Sequence, residues 1–417
     1  MQILDDDRVA LAHVEARGDA IIDRAVAWCA INSGSRNLDG LNTQLDVLEA
    51  EVRHSLSCDI ERVPLVETIE VGDNGVLTEQ PYPPALRLTM RPQAPTQVVL
   101  TGHYDTVYPA SSPFQTVRVR DDGALHGPGI ADMKGGISVI LAALEAFEDH
   151  PARHAVGWTV LLSPDEEIGS LGSGPVLAEL GRRGHLGLTY EPAMPDGALA
   201  GARKGSANWR IVVHGRSAHA GRAFHEGRNA IAGAAIIAAA LHALNGRHEG
   251  VTLNVARITG GAPLNVVPDV AVIHFNARVP DQAAAAWVSE QVAQLAAHPP
   301  FEGLTTDLHG GFTRPPKPAD ASQQALMAVV AKAGALLGQD IVFKPSGGVC
   351  EGNNLHAAGL PNIDTLGVRG GDIHSEAEFA WPESFVERAQ LSTLILAKVA
   401  SGEIDAHALK RLRLETL

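Results

Sequence analysis

Carboxylates and a histidine recur at the ends of apolar runs in the first half of this chain, and together they make a ligand set. The run VVLTGHYDTV carries His103 at its end with Asp105 two residues on, and LGLTYEP ends on Glu191. Between them, HGPGIADMKGG sets Asp132 just before a helical stretch, and GWTVLLSPDEEIGS closes on the adjacent acids Glu166 and Glu167. Histidine binds zinc through one ring nitrogen, and a nearby carboxylate can orient that ring from behind. Adjacent residues point in different directions, so one acid of the pair can hold a metal while the other takes a proton from an activated water. Taken singly, Asp132 reads equally as a helix N-cap and Glu166-Glu167 as an acidic first turn. Three apolar runs that each deliver His or Glu at the same end are explained more simply by one shared cluster.

The donors are oxygen and nitrogen with no thiolate, a set that suits zinc and also admits cobalt or manganese. Carboxylates outnumber histidines too far for a mononuclear structural site, whereas an aspartate bridging two ions would employ them all. The chain has no GxSxG elbow, no Walker A loop and no HExxH helix, which removes the usual competing hydrolase chemistries.

The elements that must carry these groups follow from periodicity. A helical pattern covers Asp19 to His54, and an irregular stretch rich in Pro, Gly and Thr covers Val63 to Leu88. Strands are predicted at Val98 to Leu100, Trp158 to Leu162 and Leu186 to Tyr190, with a helix over Ile137 to Phe147. This order is an α/β unit, whose strands present ligand-binding groups at their carboxyl ends. After Gly205 the pattern changes to strand Trp209 to Val213, helix Asn229 to Leu244, strands Val251 to Ile258 and Val270 to Val279, and helix Gln282 to Ala297. The glycine-proline punctuation of HGGFTRPPKP ends this segment; helix Ser322 to Leu337, a short strand at Ile341 to Phe343 and helix Glu383 to Ala400 resume the first style. The expected organisation is therefore a discontinuous α/β domain, residues 1-205 and 312-417, interrupted by a small α+β domain, residues 206-311.

Length and composition favour two domains: 417 residues, 45% of them hydrophobic. A net charge of -15 without a dense Lys/Arg run offers nothing to a phosphate backbone, so nucleic acid is not an expected partner. Three widely spaced cysteines, an acidic start without a signal-type apolar stretch and the absence of a long apolar run predict a cytoplasmic protein that does not enter membranes.

The pieces GHYDTV, GPGIADMKGG, SPDEEIGS, YEP, HGRSAHAG and IHSEAEF, in this order, resemble the zinc exopeptidases and deacylases that include glutamate carboxypeptidase, acetylornithine deacetylase, succinyl-diaminopimelate desuccinylase and aminoacylase. The likeness spans nearly the whole chain and is strongest to the glutamate carboxypeptidase branch. It implies a mixed sheet flanked by helices with an inserted lid and dimerisation domain. It further implies two ions, one held by His103, Asp132 and Glu191 and the other by Asp132, Glu167 and His374, with Glu166 as general base and Asp105 behind His103. The Asp132-Met133 peptide is expected to be cis, and the protein a homodimer in which His219 reaches the neighbouring site to stabilise the oxyanion.

Asn265 in GGAPLNVVPD and Arg278 in FNARVP match positions that hold a substrate carboxylate in that branch, a task for which a guanidinium supplies two parallel hydrogen bonds. Gly347 and Gly348 would let substrate approach closely. Where relatives read SGGSDA or SGGTDA this chain has SGGVCEGN, which introduces Cys350 and Glu351; the longer carboxylate is expected to reshape the pocket, and Cys350 to be a small buried filler. The implied substrate is an N-acyl amino acid or short peptide with a free C-terminal carboxylate. The second reading is deacetylation or desuccinylation of a small amino-acid metabolite. An inactive binding protein is disfavoured because Glu166 and the whole ligand set are intact.

Overall fold

The computed structural model describes residues 1-417. Alternation within the run Val98 to Leu100 sets the larger body: Val98 and Leu100 face one apolar core and Val99 the other, as successive strand residues must. Their strand, Thr96–His103, lies inside a six-stranded sheet ordered Asp59–Val63, Ala85–Met90, Val156–Ser163, Thr96–His103, Leu186–Thr189 and Asn362–Ile363. The first two pairings are antiparallel and the rest parallel, so the sheet is mixed. Helices Gly135–Glu148 and Glu383–Ala400 cover one face through Ile140, Leu144, Leu391 and Ile395. Helices Gly174–Arg183 and Glu351–Ala357 cover the other through Leu177, Leu180 and Leu355. The parallel strands Thr96–His103, Val156–Ser163 and Leu186–Thr189 all end at the same edge, and the loops leaving that edge carry the acids singled out above.

A second sheet, all antiparallel, is ordered Thr252–Gly260, Val270–Val279, Gly205–His214, Thr305–Arg314. It has its own core, where Ala207, Trp209, Ile211 and Val213 meet helices Ala230–His242 and Gln282–Ala297 through Ile237, Leu241, Val288 and Val292. Its other face turns toward the first body. There Val212 and Val272 receive Val71 from a hairpin, Thr68–Val71 with Leu77–Gln80. No helix is long and apolar enough to cross a membrane.

Several expectations need correction. The helical pattern of Asp19 to His54 breaks between helices Gly18–Cys29 and Leu38–Ser55, where Asn32 and Gly34 bind the chain around Thr106 and Tyr108. The stretch read as irregular, Val63 to Leu88, contains that hairpin and the start of the strand Ala85–Met90; only Val71 of the hairpin strands is buried, so the hairpin lacks apolar alternation. The punctuation of HGGFTRPPKP hides a strand, Thr305–Arg314, which crosses the boundary expected at residue 311. Gly310 lies there at φ 94°, and a Cβ on it would fall 2.1 Å from the carbonyl oxygen of Asn208, so glycine keeps the pairing rather than ending it. The short strand predicted at Ile341 to Phe343 begins at Phe343 and runs to Ser346.

Candidate active site

His103, the last residue of its strand, is fully buried. Its Nδ1 lies 3.0 Å from the carbonyl oxygen of Asp105, which fixes the ring and turns Nε2 outward to Asp132 Oδ1 at 3.1 Å and Glu191 Oε1 at 3.8 Å. Asp132 presents its other oxygen, Oδ2, to His374 Nε2 at 3.2 Å, and Glu167 Oε2 stands 3.1 Å from that same nitrogen. Two groups with closely spaced ligand atoms result, His103-Asp132-Glu191 and Asp132-Glu167-His374, and Asp132 belongs to both. The Asp132-Met133 peptide is cis. His374 sits in a loop with left-handed backbone (φ 63°), which folds its ring back over Asp132.

The protonation pattern is that of a cluster of negative charge holding itself together with protons. Burial, then repulsion from Asp132, pushes Glu167 up to about 8; burial, then Glu166 and Asp132, raises Glu191 well above the usual carboxylate range. Burial would raise Asp132 too, but hydrogen bonds to His103 and His374 keep it below its ordinary value. His374 is pushed up to about 11 by Asp132 and Glu167. Glu167 Oε1 and Glu191 Oε1 are buried without hydrogen-bond partners. Unpaired carboxylate oxygens at the focus of two imidazoles are the ligand set a divalent cation needs, and a bound cation would favour the ionised acids.

Asp105 is fully buried behind this cluster. It accepts from Ser35 Oγ at 2.7 Å and from the backbone N–H groups of Glu166 and Glu167 at 3.1 and 3.2 Å, so it orients the acidic turn as well as His103. Glu166 points its Oε1 at Arg314 Nη2, 2.6 Å away.

A cavity of 640 Å³ opens over the cluster. Arg278 and Gly348 line it together with Glu166, Glu191 and Arg203. Arg278 donates from Nε to Asn276 Oδ1 at 3.2 Å, while its Nη1 is buried and unpartnered. His219 and Asn265 are elsewhere. Both are exposed on a small ribbon of the second sheet's body, where Ala220 N–H donates to the Asn265 carbonyl at 2.8 Å, and neither lines the cavity of its own chain. Glu351 also departs from expectation. It does not line the cavity but lies fully buried beneath it, hydrogen-bonded to Ser163 Oγ. Cys350 is buried, and burial holds its thiol well above the usual range.

Two residues of the site carry no local sequence signal. Arg314 ends the strand that was read as punctuation, and its guanidinium also reaches the Glu166 carbonyl at 3.1 Å and Asn354 Oδ1 at 2.9 Å. Glu378 accepts from the N–H groups of Ala131 at 2.9 Å, Asp132 at 3.0 Å and Gly129 at 3.1 Å, and from Tyr108 Oη at 2.6 Å, thereby fixing the loop that carries Asp132. Its place in IHSEAEF, four residues after His374, was the only clue.

Residues 99–398 match the model of peptidase family M20/M25/M40. Carboxypeptidase G2 of Pseudomonas sp. (strain RS-16) is 28% identical over 92% of this chain and 90% of its own. Succinyl-diaminopimelate desuccinylase of Nitrosococcus oceani is 28% identical over 69% of this chain and 80% of its own. A tripeptidase of Staphylococcus aureus shares the fold, with a TM-score of 0.69 at 21% identity, covering 92% of this chain and 99% of that one. The chain belongs to peptidase family M20/M25/M40 and is a hydrolase of that family.

Proposed function

We propose that this hydrolase cleaves the amide bond of an N-acyl amino acid or short peptide with a free C-terminal carboxylate. The observation that carries the reading is the sharing of Asp132 between two ligand groups, with Glu166 beside them and the unpartnered Arg278 Nη1 at the same cavity. His103, Asp132 and Glu191 would hold one ion and Asp132, Glu167 and His374 the second, with zinc the preferred identity and cobalt or manganese admissible. When bound, such ions supply a Lewis acid for the scissile carbonyl and lower the pKa of a water.

The remaining work falls to the protein. Glu166 takes the proton of the attacking water and passes it to the departing amine nitrogen. Arg314 keeps that carboxylate aimed, and Asp105 fixes the turn it sits on. Arg278 clamps the substrate carboxylate by paired donors, and Gly348 leaves room for the substrate backbone. His219 and Asn265, exposed and adjacent on one ribbon, would complete the site of a second copy in a homodimer built through residues 206-311. The three cysteines are unpaired, which favours a reducing, cytoplasmic setting. The likeness to desuccinylases supports a second reading, removal of a short acyl group from an amino-acid metabolite, by the same residues.

The test is amino-acid release from a panel of N-acyl amino acids and dipeptides by zinc-loaded protein, beside Glu166→Gln and a chelated sample. Release lost in both controls supports the reading; release that persists in Glu166→Gln overturns the assigned base.

A further inference from the structure

Four strand pairs lie one above another on the face of the second sheet that looks at the first body. Their register joins Ser206 to Arg278, Asn208 to Asn276, Arg210 to His274 and Val212 to Val272. The ladder begins in the catalytic cavity, whose wall includes Ser206, Asn208 and Arg278, and ends where Val71 of the hairpin docks on Val212 and Val272. Its middle rungs border a second cavity of 370 Å³ that lies between sheet and hairpin and opens to solvent. The two cavities share Ile168, Asn208 and Thr313 as walls, so they adjoin at the turn that follows Glu167.

The second cavity has a definite chemistry. Leu171, Tyr82 and Ile168 give it an apolar side. At its far end Arg36 Nη2 and Arg210 Nη2 reach the same carboxylate oxygen of Glu70, at 2.9 and 3.5 Å, so two guanidinium groups share one negative charge. Arg210 Nε is buried there without a hydrogen-bond partner, whereas His274 Nε2 faces Asp73 Oδ1 at 3.6 Å, the carboxylate that also pairs with Arg257. Burial, then Arg257 and Arg210, hold His274 below its ordinary value against the opposite pull of Asp73; with Arg36 closer to Glu70 and Arg257 paired with Asp73, Arg210 is the surplus cation. A buried, unpaired guanidinium N–H of this kind favours a ligand group that accepts.

We infer that this cavity is a subsite for the distal part of a long acyl group, one with a planar or apolar body and an acidic or acceptor-rich end. The inference rests on the amide-hydrolase reading above, with Arg278 holding the amino-acid carboxylate at the opposite end of the ladder. An acetyl or succinyl group is too short to leave the metal cavity, whereas ligand sites of roughly 300 Å³ and more accommodate much larger groups. The subsite selects among acyl groups and leaves the reaction unchanged.

Three probes sharing one amino acid test it: an N-acetyl derivative, an N-(4-carboxybenzoyl)glycyl derivative and, as the charge-reversed partner of the latter, the N-(4-aminomethylbenzoyl)glycyl analogue. Zinc-loaded protein should prefer the carboxylate-tipped probe over both others in kcat/KM by about tenfold or more, as expected for a charged hydrogen bond made in a partly buried site. Arg210→Ala should collapse the preference for carboxylate over aminomethyl about tenfold, a change of selectivity that a merely structural role for Arg210 would not produce. Titration calorimetry on zinc-loaded Glu166→Gln should show the same order of affinities. Equal affinity for the three probes, or a charge preference that Arg210→Ala leaves within twofold, overturns the subsite. Ordered binding without hydrolysis of any probe by the unmutated protein upholds the subsite and instead overturns the amide-hydrolase reading.

Discussion

Arg314 Nη2 stands 2.6 Å from Glu166 Oε1, and the same guanidinium holds the Glu166 carbonyl oxygen and Asn354 Oδ1. One planar fork thus ties the proposed base, its backbone and the helix Glu351–Ala357 together. An ammonium cannot reproduce three contacts in one plane, so Arg314→Lys should let Glu166 drift while keeping the charge. A displacement of about 1 Å at a reacting group costs on the order of 100-fold, and the loss should appear in kcat with KM and zinc content little changed. Steady-state kinetics beside metal analysis checks this; a fall in zinc content equal to the fall in kcat would assign Arg314 to the metal cluster instead.

Asp105 offers a contrasting case because every group around its carboxylate donates: Ser35 Oγ, two backbone N–H groups and, at 3.3 Å, His103 Nδ1. Asp105→Asn places an NH2 group against donors, loosening both His103 and the Glu166-Glu167 turn. Zinc affinity should fall by roughly 10 to 100-fold, the usual cost of losing a carboxylate that orients a ligand. Competition of the loaded protein against a chromophoric chelator measures it, and an unchanged affinity would remove Asp105 from the support of the site.

Much of the site is legible in sequence because His103, Glu166, Glu167 and Glu191 follow apolar runs whose length and alternation announce strands, and parallel strands bring their ends to one edge. His374 was reachable only through resemblance, since its loop has no periodicity and its left-handed backbone is invisible in composition. Arg314 was not legible at all. Its position depends on the strand Thr305–Arg314 running through Gly310 and Gly311, and local rules read paired glycines as an end. Glu351 differs for another reason: its place against the relatives' SGGSDA pattern suggests a pocket wall, but the helix that starts there turns it into the core.

Glu378 accepts from a concentrated set of donors, three of them backbone N–H groups, and that makes its removal costly. In Glu378→Gln the amide nitrogen must face either Gly129 N–H or the N–H groups of Ala131 and Asp132. A buried donor left against another donor costs about 1–3 kcal/mol. Urea unfolding of metal-free protein should register a loss of that size without ions contributing, and zinc binding should weaken as the Asp132 loop loosens. Stability within about 0.5 kcal/mol of the unmutated chain would mean that the loop holds its shape without this carboxylate, contrary to the usual cost of such an orphan.

Glu351 predicts a pH dependence with a definite sign. Burial, only partly offset by the hydrogen bond to Ser163 and by Arg314, pushes it up to about 8, well above the ordinary value of a free glutamate. The folded chain therefore binds one more proton here than the unfolded chain across that interval, and stability is fully present below about 4.5 and is lost as pH rises toward 8. The slope is about 1.4 kcal/mol per pH unit at most, and a few kcal/mol in total. Glu351→Gln keeps a group that can bond Ser163 and cannot ionise, so it removes this penalty. Its unfolding free energy should gain on that of the unmutated chain between pH 5.5 and pH 8, with the margin widening in the alkaline direction. Urea titrations of metal-free protein at the two pH values settle the point: a difference between the two proteins that does not change with pH would show that Glu351 ionises in the core without cost, with Arg314 neutralising it in full.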